Sequence, residues 1–558
     1  MGSKKRVLIV GGVAGGASCA ARSRRLSEEA DIVVFEKGPY VSFANCGLPY
    51  YVGDIITEEE DLFLATPELF KKRFNIDVRV ENQVLSIDRE KKQVEVKNLQ
   101  TGTDYHEGYD TLVLSPGAEP IRPPLPGIDL PGIFTLRTVP DSREIRNWIA
   151  ERTVKHTVIV GGGFIGLEMA ENLVKRGIQV TIVEMMPHVL PVLDQEMAAS
   201  IHTCLTDNGV SLRLNDPVSG FKESEGGPIS LELKSGDTLA ADMVILVIGV
   251  RPDIDLAKRA GLEIGSRGGI RVDDQMRTSD ERIWAVGDAV ESIDFITGEW
   301  GLVPLAGPAN RQGRIAADVI FGRDSRFRGV QGTAVCAVFD MTIALTGISE
   351  KTLNRLCEEG RMGKYEKVYL HPGHHVGYYP GSENISLKLL FSLEDGSILG
   401  AQAVGKAGVE KRIDVIAMAI QRKSTVFDLE EAELCYSPQF GAAKDPVNFA
   451  GMVAANTLRG DSPISHWEKI QEFEGLILDV RDDEEFKEDN FKGAMNIPLG
   501  ELRQRMYELA GDQMILAYCE VGQRSYYATR MLRQSGFNVR NLSGGFKTFK
   551  AFQQCNKE

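Results

Sequence analysis

The chain has 558 residues, enough for three or four domains of ordinary size. Hydrophobic residues make up 43% and charged residues 26%, which excludes a largely disordered chain, and the 57 glycines follow no fixed period, which excludes a collagen-like one. Lys and Arg total 64 against 79 Asp and Glu, a net charge of −15, so no general affinity for nucleic acid or for an anionic membrane is expected.

The chain opens MGSKKRVLIVGG. Basic residues before an apolar stretch imitate a secretion signal, but the stretch is short and glycines follow at once, so it reads as a first β-strand. No apolar run approaches the roughly 18 residues of a membrane span. Eight cysteines without CxxC spacing suit neither a disulfide framework nor a zinc site, and a reducing, cytoplasmic setting is expected.

Two strand–glycine–helix units follow. In the first, the strand Val7 to Val10 runs into Gly11, Gly12, Gly15 and Gly16, then a helix, then a strand ending at Glu36; Val13 stands where GxGxxG has its middle glycine. In the second, HTVIVGGGFIG sets Gly161, Gly163 and Gly166 in full GxGxxG register, and the next strand ends at Glu184. Such glycines let backbone approach a pyrophosphate at a helix N-terminus, and the terminal carboxylate is placed to accept from ribose hydroxyls. Two dinucleotides are therefore expected, FAD and NAD(P)H. Met185 and Met186 stand where an NADPH enzyme needs Arg or Lys, which favours NADH. The runs TLVLSPGAEP, with Ser115 and Gly117, and MVILVIGVRPD each end in a glycine turn, and IWAVGDAVE places Asp288 after another.

With these motifs the chain resembles the two-dinucleotide flavoprotein disulfide reductases over residues 5 to about 455. The resemblance implies an α/β fold class with two Rossmann-like dinucleotide-binding domains and an α+β dimerisation domain. The expected domains are an FAD-binding domain at 1–152 and 271–330, an inserted NAD-binding domain at 153–270 and a dimerisation domain at 331–455. It also gives Asp288 a role at the ribityl and phosphate region of the flavin. Relatives with a redox pair carry CxxxxC, but here only Cys46 is sulfur and position 51 is Tyr51. The phrase SFANCGLPY resembles coenzyme A–disulfide reductases, in which this cysteine forms a mixed disulfide with coenzyme A. The resemblance makes Arg22, Arg25, Lys72, Arg73, Asn310 and Lys444 candidate contacts of coenzyme A, with Ser42 and Asn45 at the pantetheine amides. It also implies a homodimer in which Tyr378 and Tyr436 reach the sulfur site of the other subunit. Phe440 replaces a tyrosine of the family pattern. Ala14 stands where single-cysteine NADH oxidases and peroxidases carry a histidine, which favours coenzyme A chemistry over peroxide chemistry. An oxidase or peroxidase and a redox-sensing interaction protein are the alternatives. The segment HPGHH, with His371, His374 and His375, lacks carboxylate or cysteine partners at ligand spacing, and no metal is expected.

Beyond a Gly-Asp-Ser-Pro stretch, read as a linker at 456–464, the texture changes. LDVR, GAMNIP, CEVGQR and GGF follow in order, and residues 465–558 resemble a single rhodanese-like α/β domain. Cys519 to Arg524 makes a six-residue loop whose N–H groups favour an anionic sulfur, with Arg524 expected to hold loop and anion. Glu520 is expected to repel a dianionic donor such as thiosulfate. The reading is a reductase of coenzyme A persulfide, polysulfide or coenzyme A disulfide acting through Cys46, with Cys519 handling sulfane sulfur.

Overall fold

The computed structural model describes residues 4–223 and 228–555. The chain forms two compact units, one of Met1–Met185 with Gly209–Val330, the other of Met186–Asn208 with Gln331–Glu558.

The first unit holds two five-stranded parallel sheets. One runs Ile283–Ala285, Thr111–Leu114, Arg6–Val10, Asp31–Glu36, Asp77–Val80; the other Ser211–Arg213, Gln179–Val183, His156–Val160, Met243–Leu246, Ile133–Thr135. Helices cover parallel strands on both faces, so these strands are apolar without alternation, and Val7, Leu8, Ile9, Val158 and Ile159 are fully buried. The helices Ala14–Leu26 and Ala306–Ile320 pack so closely that a Cβ on Gly313 would lie 2.2 Å from the Gly15 carbonyl oxygen. The two runs ending in glycine turns continue into short strands, Ala118–Pro120 and Val250–Pro252, which pair with each other antiparallel. The fold thus contains both dinucleotide-type sheets expected from the sequence.

In the second unit a five-stranded antiparallel sheet runs Ala334–Val338, Met341–Gly347, Ile398–Gly405, Ile385–Ser392, Tyr365–Leu370. A five-stranded parallel sheet of the rhodanese-like region runs Ile464–Ser465, Val539–Leu542, Ile515–Tyr518, Leu476–Asp479, Met495–Asn496. The two are fastened along the edge strand Tyr365–Leu370. The Tyr369 N–H donates to Ser543 Oγ at 3.0 Å, His371 Nε2 meets Thr548 Oγ1 at 2.9 Å, and Lys367 Nζ meets Glu468 at 2.5 Å. Gly544, at φ +71°, is required here, because a Cβ would stand 2.6 Å from Tyr369 Cβ.

Two features cross the expected boundaries. The helix Gln195–Asp207 falls inside the range expected for the NAD-binding domain, yet packs in the second unit. Lys388, fully buried on Ile385–Ser392, donates to Asp194 at 2.8 Å, Glu196 at 2.6 Å and Glu350 at 2.6 Å. Burial alone would lower its pKa, but Tyr369 and these carboxylates hold it well above the ordinary lysine value. Losing one partner of such a cluster costs about 3–5 kcal/mol, so the ion pairs fix the helix here. The expected linker at 456–464 is shorter, since the helix Pro446–Leu458 runs into it and Ile464 already pairs with Asn541.

Candidate active sites

Cys46 lies on the 3-10 turn Asn45–Gly47, at the head of the helix Leu48–Val52, and is exposed. The turn is braced from below. Leu48 and Val52 are buried, Arg146 stacks 4.2 Å over the Tyr51 ring, and the Tyr51 hydroxyl donates to Glu59 at 3.3 Å. Position 51, where a second redox sulfur stands in paired-cysteine relatives, is thus filled by a packed ring. Cys19, Cys46, Cys204, Cys336, Cys357, Cys435 and Cys519 are free thiols. Partial burial pushes the Cys46 thiol up, Glu168 and Asp288 push the same way, and Arg137 pulls it down. Glu168 itself is raised to about 7, chiefly by burial, and accepts from the Tyr50 hydroxyl at 3.3 Å. The sequence reading missed Tyr50, Arg137 and Glu168; the one signal for Glu168 is its place two residues after Gly166.

The glycine loops have the shape their motifs imply. Gly11 has φ +91°, and a Cβ there would sit 2.0 Å from the Ser115 carbonyl oxygen; Gly161 has φ +112°, and a Cβ would sit 2.5 Å from the Val247 carbonyl oxygen. A Cβ on Gly163 would meet nothing within 4 Å. Packing does not demand glycine there, so the open space suits a phosphate group approaching the helix Phe164–Lys175. Glu36 accepts from the Gly12 N–H at 2.9 Å and the Gly38 N–H at 2.8 Å; Glu184 accepts from the Gly162 N–H at 2.7 Å. Each carboxylate therefore ties its strand end to its loop and keeps lone pairs for a ribose. Gly12, Gly15, Gly16 and Gly166 complete the two turns, and Gly117 has φ +78°. Asp288 is paired with Arg137 at 2.8 Å. These residues fit two dinucleotides.

The candidate contacts of coenzyme A are spread over several elements. Arg22 is bound to Asp318 at 2.6 Å and largely buried, and Ser18 Oγ donates to Asn310 on the facing helix. Arg25, Lys72 and Arg73 are exposed. Arg24 joins their two helices by donating to the Phe74 and Asn75 carbonyl oxygens at 2.6 and 3.0 Å. Ser42 has φ +49° and donates its N–H to the Gly12 carbonyl oxygen at 2.9 Å, which sets Ser42 and Asn45 beside the first glycine loop. In the second unit, Lys444 is exposed, and the Tyr378 and Tyr436 hydroxyls meet at 2.9 Å with their rings 74% and 47% exposed. Phe440, 65% exposed, adds to this aromatic surface.

Cys519 follows directly on the strand Ile515–Tyr518 and is wholly buried. Its sulfur accepts from the Ser525 N–H and the Ser525 hydroxyl, both at 3.4 Å, at the start of the helix Gln523–Gln534. The Arg524 guanidinium binds Glu485 through two contacts of 2.6 Å, and the Cys519 sulfur is close enough to add to the charges acting on it. Glu520 stands between Arg481 at 3.4 Å and Lys550 at 3.6 Å, and Arg481 is itself held by Asp479 at 2.8 Å. In the HPGHH segment, His371 bridges Ser386 and Thr548, and burial lowers its pKa to about 3. Among the described residues, the only three carboxylates close enough to share an ion are Asp194, Glu196 and Glu350, which the Lys388 ammonium already binds. No helix among these residues is long and apolar enough to cross a membrane.

Comparison with known proteins agrees with this geometry. A family model described as pyridine nucleotide-disulphide oxidoreductase matches residues 5–313, its dimerisation domain matches 333–445, and a rhodanese-like domain matches 462–552. The crystal structure of reduced Bacillus anthracis CoADR-RHD is 47% identical, with a TM-score of 0.95 over 98% of each chain. An NAD-dependent persulfide reductase from A. fulgidus is 37% identical, with a TM-score of 0.90 over 98% of this chain and 99% of that one. Coenzyme A disulfide reductase of Staphylococcus haemolyticus is 35% identical over 451 residues, 81% of this chain and 99% of that protein.

Proposed function

The chain belongs to the pyridine nucleotide-disulphide oxidoreductase family and joins it to a rhodanese-like domain, and from this we propose that it reduces coenzyme A persulfides, with polysulfides and coenzyme A disulfide as related substrates. The observation that carries the reading is the pair of sulfur sites in one chain, an exposed Cys46 on a helix-heading turn and a buried, hydrogen-bonded Cys519. A carrier of sulfane sulfur serves a persulfide substrate and has no use to a plain disulfide. The relatives named for coenzyme A disulfide and for persulfide reduction support the same substrate class.

Gly11, Gly12, Gly15, Gly16, Glu36, Ser115, Gly117 and Asp288 would hold FAD, and Gly161, Gly163, Gly166 and Glu184 would hold NADH. When bound, these groups supply the two electrons that free Cys46 from its mixed disulfide. The Cys46 thiolate attacks the sulfur of coenzyme A in its persulfide. A bond forms between the two sulfurs, the sulfur–sulfur bond of the persulfide breaks, and hydrosulfide leaves with its electron pair. Arg137 favours the thiolate, and Glu168 disfavours it whenever charged. Arg22, Arg25, Lys72, Arg73 and Asn310 suit the phosphate-bearing end of coenzyme A, and Ser42 and Asn45 its amides. The exposed Tyr378–Tyr436 pair and Lys444 suit a homodimer in which they reach the other protomer's site, a phenol donating to the leaving sulfur. Glu184, buried at its strand end, accepts from a 2′-hydroxyl and repels a 2′-phosphate, so NADH is preferred.

The test is NADH consumption by the purified flavoprotein with coenzyme A persulfide, with mass spectrometry for coenzyme A on Cys46 and extra sulfur on Cys519. Both adducts and persulfide-dependent oxidation of NADH are expected. Peroxide-dependent oxidation of NADH without coenzyme A would reject the reading.

A further inference from the structure

Tyr369 is held at both ends. Its hydroxyl, kept protonated chiefly by burial, donates to Glu196 at 2.7 Å in the first turn of the helix Gln195–Asp207. Its backbone N–H donates to Ser543 Oγ at 3.0 Å, and its Cβ leaves no room for a side chain on Gly544. The helix Gly545–Cys555 starts there, and its first turn holds the Cys519 loop. The Phe546 N–H donates to the Cys519 carbonyl oxygen and the Lys547 N–H to the Glu520 carbonyl oxygen, both at 2.9 Å. The same helix packs against Gln195–Asp207. One side chain thus joins the head of the helix Gln195–Asp207 to the backbone that fixes Cys519.

That helix is fastened in turn to the segment before it. Asp194 donates its N–H to Gln402 at 2.9 Å and accepts from Lys388, and the Val189 N–H donates to His202 Nε2 at 3.2 Å. Val189, Leu190 and Leu193 are buried. This packed segment follows closely in the chain on Glu184, the carboxylate that accepts from the second glycine loop. Close-packed segments pass a displacement on instead of absorbing it. The far end of the path is as tight, because Cys519 is wholly buried and a sulfur atom added to it has to displace its surroundings.

We propose that Tyr369 is a positioning residue that couples the Cys519 loop to the dinucleotide site at Glu184, so that sulfur carried on Cys519 weakens dinucleotide binding. The inference rests on the reading above, in which Glu184 takes NADH and Cys519 takes sulfane sulfur, and adds the order of the two events. With Cys519 as a free thiol, Glu184 is tied to the Gly162 N–H in the arrangement that suits a ribose. Loading shifts the head of the helix Gly545–Cys555, Ser543 and Tyr369 move with it, and Glu196 carries the shift into the segment behind Glu184. By linkage, bound dinucleotide disfavours sulfur on Cys519 by the same factor. NADH then binds best once Cys519 has passed its sulfur on, which sets sulfur hand-off ahead of hydride delivery.

The experiment is calorimetric titration of the full-length flavoprotein with NAD+, which has no hydride to give. Untreated protein is compared with protein loaded from polysulfide, with mass spectrometry confirming the extra sulfur on Cys519. Kd should rise at least about 5-fold on loading, the lower end of ordinary coupling between sites. Cys519→Ser treated in the same way should show no rise, which assigns the effect to that sulfur and not to another cysteine. Tyr369→Phe removes only the hydroxyl, so its untreated Kd should stay within about 2-fold of native while the rise on loading disappears. Ser543→Ala, which removes the acceptor at the other end of Tyr369, makes the same test if the first variant does not fold. Equal affinities of loaded and untreated native protein overturn the inference. So does a rise that survives in Cys519→Ser or in whichever of the other variants folds. NAD+ that binds neither form defeats the proposed function and the coupling together. Equal binding to both forms defeats the coupling alone, and a persistent rise without NADH-dependent persulfide reduction defeats the proposed function alone.

Discussion

Cys519 is wholly buried and receives two hydrogen bonds from one residue six positions on, whereas Cys46 is exposed on a single 3-10 turn, its thiol pushed up by partial desolvation among its neighbours and by Glu168. The first site is built from a continuous stretch of strand, loop and helix. The second is assembled from the Cys46 turn, the helix carrying Glu168, and the segments of Arg137 and Asp288, more than 240 residues apart at the extremes. A sulfur that only stores a sulfane atom can be served by local backbone and one hydroxyl. A sulfur that exchanges electrons must face groups brought by other elements and by ligands, and the protein alone leaves it poorly activated.

The largest expected effect tests this division directly. Cys46→Ser should lower NADH-dependent persulfide reduction by more than about 10³-fold, because a serine hydroxyl is too weakly acidic to attack sulfur at neutral pH. Extra mass on Cys519 after treatment with polysulfide should persist in the variant. If both functions vanish, the two sites are not separable.

Next in size is Ser525→Ala, which removes the hydroxyl donor from Cys519 and leaves the backbone N–H. Sulfane-sulfur transfer from Cys519 should slow about 10-fold, as expected for one hydrogen bond to a charged sulfur. Single-turnover transfer to a small thiol measures it, and an unchanged rate would show that the hydroxyl does not stabilise the anion.

A smaller, pH-dependent effect concerns Glu168. Its folded pKa of about 7 lies above the ordinary carboxylate value, so the group favours the folded state most at low pH, and that contribution is lost as pH rises through about 7. In Glu168→Gln the Tm relative to wild type should therefore climb between pH 5 and pH 8. Above pH 7 the variant also lacks a negative charge beside Cys46, and alkylation of Cys46 at pH 8 should quicken about 3-fold. A slower alkylation would reverse the assigned sign.

Smallest of all, Glu520→Gln should raise thiosulfate sulfurtransferase activity by about 2-fold at low salt, because it removes a negative charge and leaves Lys550 without that partner. An unchanged rate at low salt would remove the repulsion expected from sequence.

Much of this is legible in the sequence. The glycine loops, Glu36, Glu184, the lone Cys46 and the CEVGQR loop are local patterns, and a local pattern survives in one dimension. What escaped depends on partners distant in sequence. The helix Gln195–Asp207 follows a dinucleotide-type strand and gives no sign that Lys388, nearly 200 residues later, claims Asp194 and Glu196. Arg524 shows its position in the loop but not its attachment to Glu485, and Glu520 shows its charge but not the two cations beside it. Glu168 looks like any helix carboxylate until its burial and its Tyr50 partner are known.

The joint along Tyr365–Leu370 bears on transport. Gly544 meets Tyr369 with no room for a methyl group, and hydrogen bonds flank that contact, so the rhodanese-like sheet is seated on its neighbour rather than hung from it. A seated domain cannot ferry cargo by swinging, whatever the length of the segment that leads into it. Under the proposed sulfur relay the moving part is then the small molecule, whose reach is set by its own bonds. Turnover should then be indifferent to extra residues inserted near Gly460 and sensitive to every atom removed from the carrier.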